Sequence, residues 1–305
     1  MGIHAEYTLP FPREDVWRWH TRPGAVTRLT PGFLPMRVQT EAASIRNGTT
    51  VFSLPAGMQW KAHHLADGYT AGHKFTDIAA NQPLRAATQW RHEHRFEDAD
   101  KGTLLIDDVS ATIPETVLRP AWAYRQRQLV EDLKFIASLP DAEPKTVAMT
   151  GSSGLVGTHL RAQLTTAGHS VIPLVRDEAG PGERHWDMDN PAPDLLAGVD
   201  GVIHLAGESI MGRFTDDKKR RIRESRVEPT RKLAQLAADS GVGVFVGASA
   251  VGYYGTDAGG FPHTETDGPG AGFLADVCAA WEDAAQAEGI RTCLLYTSPS
   301  PRDRG

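Results

Sequence analysis

Two hydrophobic periods divide the chain. Near the start apolar side chains alternate: Ile3, Ala5, Tyr7 and Leu9 face one way and His4, Glu6 and Thr8 the other, as in a half-buried strand. Pro12, suited to a first helical turn, then leads a short helix carrying Val16, Trp17 and Trp19. Between Val38 and Ile113 the strand period returns in the runs Val51–Leu54, Met58–Leu65, Gly72–Ile78, Ala87–Phe96 and Thr103–Ile113, spaced by Gly, Asn and Asp. In one run Trp90, His92, His94 and Phe96 alternate with Arg91, Glu93 and Arg95. Pro120 is expected to open a long helix with Trp122, Leu129, Leu133 and Ile136 on its buried stripe. The pattern predicts an α+β domain over residues 1–140, with a curved sheet gripping a helix.

After the proline-bracketed stretch Leu139-Pro-Asp-Ala-Glu-Pro-Lys the pattern changes, and a second domain is placed at 145–292. Val147-Ala148-Met149 reads as a buried strand, followed by a glycine-rich turn and a helix with Val156, Leu160, Leu164 and Ala167 on one stripe. Further strands are expected at Ser170–Val175, from Asp200, and at Val242–Ala248, and Arg291-Thr-Cys-Leu-Leu is placed as the next parallel strand, broken off at Tyr296. Helices are expected at Thr215–Ala238 and Gly272–Glu288, the second with Leu274, Val277, Cys278, Trp281 and Ala285 inward. Strands alternating with helices predict a doubly wound α/β domain with a parallel sheet. Pro173 fits such a sheet only if the strand beside it, near Arg184–Trp186, is short.

Composition narrows the classes. The 305 residues are 40% apolar, enough for two cores, and the net charge of −6 argues against a general nucleic-acid binder. Cys278 and Cys293 make no disulfide framework, so a reducing cytoplasm is the expected location. No run approaches the ~18 apolar residues of a membrane span. The basic run Lys218-Lys219-Arg220-Arg221 is diluted by Asp216, Asp217, Glu224 and Glu228, and reads as a solvated helix face.

Candidate chemistry begins at Thr150-Gly-Ser-Ser-Gly-Leu-Val-Gly157. Gly151 allows a tight turn, Gly154 a close approach of backbone to a pyrophosphate, and Gly157 close packing of the helix. At the end of the next strand Arg176 favours the 2′-phosphate of NADP, while the neighbouring Asp177 keeps NAD open. Ala206-Gly207 would leave room for the cofactor. Ser249, Tyr253 and Tyr254 follow a strand's carboxyl end, where open α/β sheets bind ligands. Ser249 is a candidate to polarise a substrate oxygen, and either tyrosine to relay a proton or to pack under the nicotinamide. His263 and Glu265 lie in the next loop. His92 and His94, two residues apart on a strand, point the same way; with no third ligand at a supporting spacing, hydrogen bonding is expected there and no metal.

These residues carry two resemblances. Pro12-Arg-Glu-Asp-Val-Trp, Leu29-Thr-Pro-Gly, Trp90-Arg-His-Glu-His-Arg-Phe and the helix after them resemble the START-like, or SRPBCC, helix-grip family. That implies an apolar cavity for a hydrophobic ligand. The loop at 150–157, Ile203-His-Leu-Ala-Gly-Glu, Ser225-Arg226 with Thr230, Ser249-Ala-Val-Gly-Tyr-Tyr-Gly, and Phe273-Leu-Ala-Asp-Val-Cys with Trp281-Glu282 resemble the epimerase-like, atypical branch of the short-chain dehydrogenase/reductase superfamily, related to NAD-dependent epimerase/dehydratases. The implied fold is a Rossmann-type sheet, incomplete at the C-terminus. The implied cofactor contacts are Gly151, Ser153, Gly154, Leu155, Val156, Gly157, Arg176, Leu205, Ala206, Gly207 and Ser249, and the implied activity is oxidoreductase or epimerase chemistry on an unknown small molecule.

That superfamily's Tyr-x-x-x-Lys signature is not met. Alignment through Glu282 puts Leu274 and Cys278 at its two positions, and neither supplies a proton donor or a cation. A non-catalytic NADP(H)-binding sensor is therefore a second expectation. Cys293–Asp303 resembles one translated frame of a sequencing-library adapter, so 293–305 is expected to be a non-native tail.

Overall fold

Strand β1 (Gly2–Leu9) buries Ile3 and Leu9 and exposes His4, Glu6 and Thr8, as its alternation dictates. The structure, a computed structural model, describes residues 2–139, 143–255 and 263–296. The chain divides into two compact units: Met1–Glu143 with Arg161–Gly168, and Pro144–Leu160 with His169–Gly305.

In the first unit β1 is followed by helices α1 (Arg13–Thr21) and α2 (Ala25–Leu29) and by strands β2 (Arg37–Thr40), β3 (Thr49–Ser53), β4 (Gln59–His64) and β5 (Lys74–Ala79). Then come α3 (Leu84–Thr88), β6 (Arg91–Ala99), β7 (Gly102–Ser110) and the 24-residue α4 (Glu115–Ser138). The strands form one antiparallel sheet in the order β1-β7-β6-β5-β4-β3-β2. Helix α4 lays Leu129 and Leu133 against Leu9, Phe96 and Leu105, and Trp122 against Ile3 and Val109. A buried two-pronged ion pair ties α2 to α4: Arg28 Nε and Nη2 donate to Asp132 at 2.8 and 2.5 Å.

Two details of this unit differ from expectation. Pro120 does not open α4 but lies inside it, because Pro114 already occupies the N-cap with extended backbone (φ −63°, ψ 146°). The run expected from Ala87 starts as a strand only at Arg91, since α3 takes residues 84–88 and Gln89 closes it in the left-handed region (φ 47°).

The second unit opens with β8 (Thr146–Thr150) and the start of α5 (Leu155–Ala167), whose residues from Arg161 fall in the first unit, then β9 (Ser170–Val175), β10 (Arg184–His185) and β11 (Gly201–His204). Helices α6 (Asp216–Glu224) and α7 (Val227–Asp239), strand β12 (Val244–Ala248), helix α8 (Phe273–Ala284) and strand β13 (Arg291–Leu295) complete it. All neighbours are parallel, in the order β10-β9-β8-β11-β12-β13. Chain order reverses between β8 and β11, the switch point beyond which such sheets take ligands. The core joins Ala148, Leu174, Trp186, Val202, Leu233 and Phe245. Pro173 is accommodated as expected: β10 pairs only with Leu174 and Val175, leaving the proline without a partner on that side.

Two expectations are corrected here. The long helix is two, because Pro229 has no N–H to continue the ladder and its ring crowds the preceding turn; the chain breaks at Ser225-Arg226. Val156 is not on a buried stripe: it is 53% exposed, and α5 instead buries Gly157, Ala162 and Thr166. The run Arg291–Leu295 forms the edge strand β13, in which Cys293, Leu294 and Leu295 pair with Val246, Gly247 and Ala248. The rest of that expected tail, from residue 297, lies outside the described residues.

Candidate dinucleotide site and histidine cluster

The turn between β8 and α5 has the shape its glycines allow. Gly151 has φ +66°, and a Cβ there would lie 2.8 Å from the Leu205 carbonyl carbon. A Cβ on Gly157 would stand 2.1 Å from the Gly151 carbonyl oxygen. The loop thus closes tightly on itself and on the turn after β11, and at both places the obstacle is backbone. Ser153, Gly154, Leu155 and Val156 are exposed at the mouth of α5. The first N–H groups of α5 face this turn, giving it the partial positive charge that suits phosphate oxygens. Arg176 is exposed immediately after β9, the strand beside β8.

A buried polar chain holds the second wall. Thr150 Oγ1 accepts from the backbone N–H groups of Leu205 (3.1 Å) and Ala206 (3.2 Å), so its own proton goes to His204 Nδ1 at 2.7 Å. His204 therefore carries its proton on Nε2 and donates it to Thr230 Oγ1 at 2.9 Å, which also accepts from Trp281 Nε1 at 2.9 Å. Burial, with Arg226 nearby, lowers the His204 pKa to about 4, keeping the ring neutral. The sequence pattern marked His204 only as part of a motif. What it missed is that this histidine ties the turn at 205–207 to α7 and α8.

The break between α6 and α7 places Arg226 against the same turn. Its guanidinium lies over the Trp281 ring, 5.1 Å from the centroid, and donates to the Ile222 carbonyl at 3.2 Å. A Cβ on Gly207 would meet Arg226 Cζ at 2.9 Å, so glycine is what lets the cation approach. Cys278, at the position of the missing lysine, is buried; desolvation raises its thiol pKa and the charge of Arg226 opposes that rise. The cation near that position is thus an arginine from another helix.

Ser249 follows β12 and donates to Glu282 Oε1 at 2.5 Å, while Tyr296 donates to Glu282 Oε2 at 2.7 Å. Tyr254 stacks on His263 (4.8 Å, 7° between planes), and both Tyr253 and Tyr254 have Tyr296 at 5.9 Å. Desolvation, then the carboxylates of Glu265, Asp267 and Glu282, raise the Tyr254 pKa. A phenol so placed holds its proton and can donate it. Ser249, Tyr253, Tyr254 and His263 are therefore brought together, around a carboxylate that the serine spacing did not reveal.

The basic run on α6 is paired rather than open: Lys218 donates to Glu208 at 2.7 Å, and Arg220 and Arg221 both contact Asp217.

The first unit contains a cavity of about 610 Å3, walled by Phe52, Phe75, Leu118 and Trp122 and entered by the polar atoms of His64 and Arg125. His92 and His94 line it as well. His92 hydrogen-bonds as expected, and the carboxylates that meet both rings come from neighbouring strands. Asp107 Oδ1 lies 3.1 Å from His92 Nε2 and 2.6 Å from His94 Nδ1, and Asp77 Oδ2 lies 3.6 Å from His92 Nδ1. Sequence spacing could not show this, because cross-strand register is what pairs Asp77 with His92 and Asp107 with His94.

Comparison with known proteins agrees with the second unit's geometry. Residues 147–275 match the NAD dependent epimerase/dehydratase family. An epimerase family protein of Mycobacterium tuberculosis is 41% identical over 158 residues, which is 50% of this chain and 52% of that protein. One of Bacillus subtilis is 35% identical over 160 residues, 48% of this chain and 52% of its own length. The chain thus spans about half the length of the curated relatives it matches. A crystal structure described as a nucleoside-diphosphate sugar epimerase from Corynebacterium glutamicum is 50% identical, with a TM-score of 0.90 over 96% of this chain and 65% of that one. Among the described residues, no helix is long and apolar enough to cross a membrane.

Proposed function

We propose that the second unit binds NADP(H) and that the chain is an oxidoreductase or epimerase-like protein whose first unit is a START-like domain for a hydrophobic ligand. The single observation that carries the cofactor reading is the glycine cradle. At Gly151 and Gly157 a side chain would strike backbone, and the loop they form opens α5 at the sheet's switch point. The residues present fit a dinucleotide: Gly151, Ser153, Gly154, Leu155, Val156 and Gly157 for the pyrophosphate, Arg176 for a 2′-phosphate, and Leu205, Ala206 and Gly207 as the opposite wall. When bound, the nicotinamide supplies hydride chemistry.

The chain's own groups do the rest. Ser249, its proton given to Glu282, offers lone pairs to a substrate hydroxyl. Tyr254 keeps its proton and can donate it to a developing alkoxide. Arg226 supplies the positive charge that Cys278 cannot. The first unit's cavity suits a ligand with an apolar body and an acceptor end: Trp60 Nε1, Trp122 Nε1 and Arg125 Nε are buried there without hydrogen-bond partners.

Titration with NADPH and NADH tests the cofactor. NADPH is expected to bind more tightly, and Arg176→Ala to weaken NADPH about tenfold or more while leaving NADH unchanged. A clear NADH preference in the wild type overturns the NADP assignment, and no binding of either overturns the site. A second reading, binding without turnover, is favoured by Leu274 and Cys278 at the positions of the tyrosine and lysine. It expects NADPH and the cavity ligand to change each other's affinity by the same factor. It also expects no oxidation of bound NADPH in single-turnover trials with carbonyl substrates.

A further inference from the structure

The cavity wall of the first unit holds a set of donors that the dinucleotide reading does not use. Asp77 on β5 is the cross-strand partner of His92 on β6, and His94 lies two residues along the same face. All three are buried, and each offers one donor atom such that all lie within 4.8 Å of one another. Asp77 Oδ2 and His92 Nδ1 are already 3.6 Å apart. Metal–N and metal–O bonds of about 2.0–2.2 Å place tetrahedral donors about 3.3–3.5 Å apart, so closing the site draws the donors together by up to about 1.5 Å.

Each donor is also held from behind. His92 Nε2 and His94 Nδ1 both face Asp107, which leaves Nδ1 of His92 and Nε2 of His94 for an ion. Asp107 is in turn fixed by Tyr7, whose hydroxyl donates at 3.3 Å. Trp90 Nε1 donates to Asp77 Oδ1 at 3.1 Å, leaving Oδ2 on the histidine side. Phe75 stacks on His94 at 4.2 Å. An imidazole that binds a metal through one nitrogen and a carboxylate through the other is the usual outer-shell arrangement. Charge points the same way. Two buried carboxylates, Asp77 and Asp107, face two imidazoles in a mostly apolar wall, with Arg125 the cation lining the same cavity. Buried negative charge is costly, and a divalent cation held by these donors lowers the cost.

We propose that Asp77, His92 and His94 bind one divalent ion of the zinc class, with Asp107 as the outer carboxylate and the ion's open position facing the cavity. Two imidazoles and one carboxylate suit Zn2+ or Co2+ over Mg2+ or Ca2+, which prefer all-oxygen shells. An oxygen of the cavity's occupant, or water, would complete the coordination.

The test uses the full chain without an affinity tag, stripped with a chelator and dialysed. Titration with CoCl2, read by visible absorption, is expected to saturate at one equivalent with the bands of a four- or five-coordinate ion. ZnCl2 should displace the cobalt and raise the melting temperature. Asp77→Asn and His94→Gln should each lower Zn2+ affinity at least a hundredfold, and Asp107→Asn about 10–100-fold. Should a histidine variant fail to fold, the wild-type stoichiometry and the conservative Asp77→Asn still decide. No saturable binding, binding undiminished in Asp77→Asn, or a preference for Mg2+ over Zn2+ overturns the assignment. None of these outcomes depends on NADPH, so this site and the dinucleotide site stand or fall separately.

Discussion

Gly157→Ala sets two effects of opposite sign against each other. Gly157 lies in the first turn of α5 at an ordinary helical φ, so propensity alone favours alanine by about 1 kcal/mol. Lower entropy of the unfolded chain acts in the same direction. Sterics oppose it. The new methyl would sit 2.1 Å from the Gly151 carbonyl oxygen and 2.9 Å from Ser152 Cα, and neither can rotate away because both are backbone. Relieving the first contact requires the loop to move by about 1 Å, and overpacking of this kind costs about 1–3 kcal/mol. A contact of 2.1 Å with backbone belongs at the upper end of that range, so the steric term wins, with a net loss of about 1–2 kcal/mol. The moved loop is the one proposed to hold the pyrophosphate, so NADPH affinity should fall by more than tenfold, about 1.4 kcal/mol. Urea unfolding measures the first quantity and fluorescence titration with NADPH the second. A Gly157→Ala protein as stable as the parent, with unchanged NADPH affinity, would refute both the packing argument and the placement of the cofactor.

Two further outcomes are expected. Thr150→Val strands the Ala206 N–H and the Nδ1 of His204, while the Leu205 N–H keeps the Thr150 carbonyl at 3.3 Å; at about 1–3 kcal/mol for each buried unsatisfied group, unfolding measurements should show a loss of about 2–6 kcal/mol that Thr150→Ser largely avoids. Acid should weaken the fold through His20 and His204, whose folded pKa values lie at about 4 against 6.5 when unfolded. Stability is full above pH 6.5 and falls between pH 6.5 and about 4, because only the unfolded state takes up the proton there. The loss approaches about 3 kcal/mol per histidine, and a urea midpoint that stays flat across this window would contradict the burial argument.

Periodicity made most of the architecture legible. Alternation in residues 3–9 and 90–96 located strands with the correct faces, and the order of apolar runs and turn residues was enough to anticipate a parallel sheet with a short neighbour beside Pro173. The phosphate loop was equally plain, because its glycines answer to backbone geometry within eight residues. Errors arose where two local signals competed. Pro114 and Pro120 each fit a helix start, and the interruption at Pro229 was hidden by a continuous apolar stripe. What stayed invisible was every interaction made by register. Asp77 and Asp107 have no spacing relation to His92 and His94, and Glu282 is 33 residues from Ser249, yet pairing of strands and packing of α8 bring each set within bonding distance.

Pro173 has a consequence for self-association as well. Strand β9 has a partner strand on its outer side only at Leu174 and Val175, so the flank from Ser170 to Ile172, exposed to half-buried, is left for a strand from another chain, with buried Pro173 at its inner end. A proline there has no N–H to offer and breaks the hydrogen-bond ladder an incoming strand would need. One residue that looks like a defect in the sheet thereby discourages edge-to-edge aggregation.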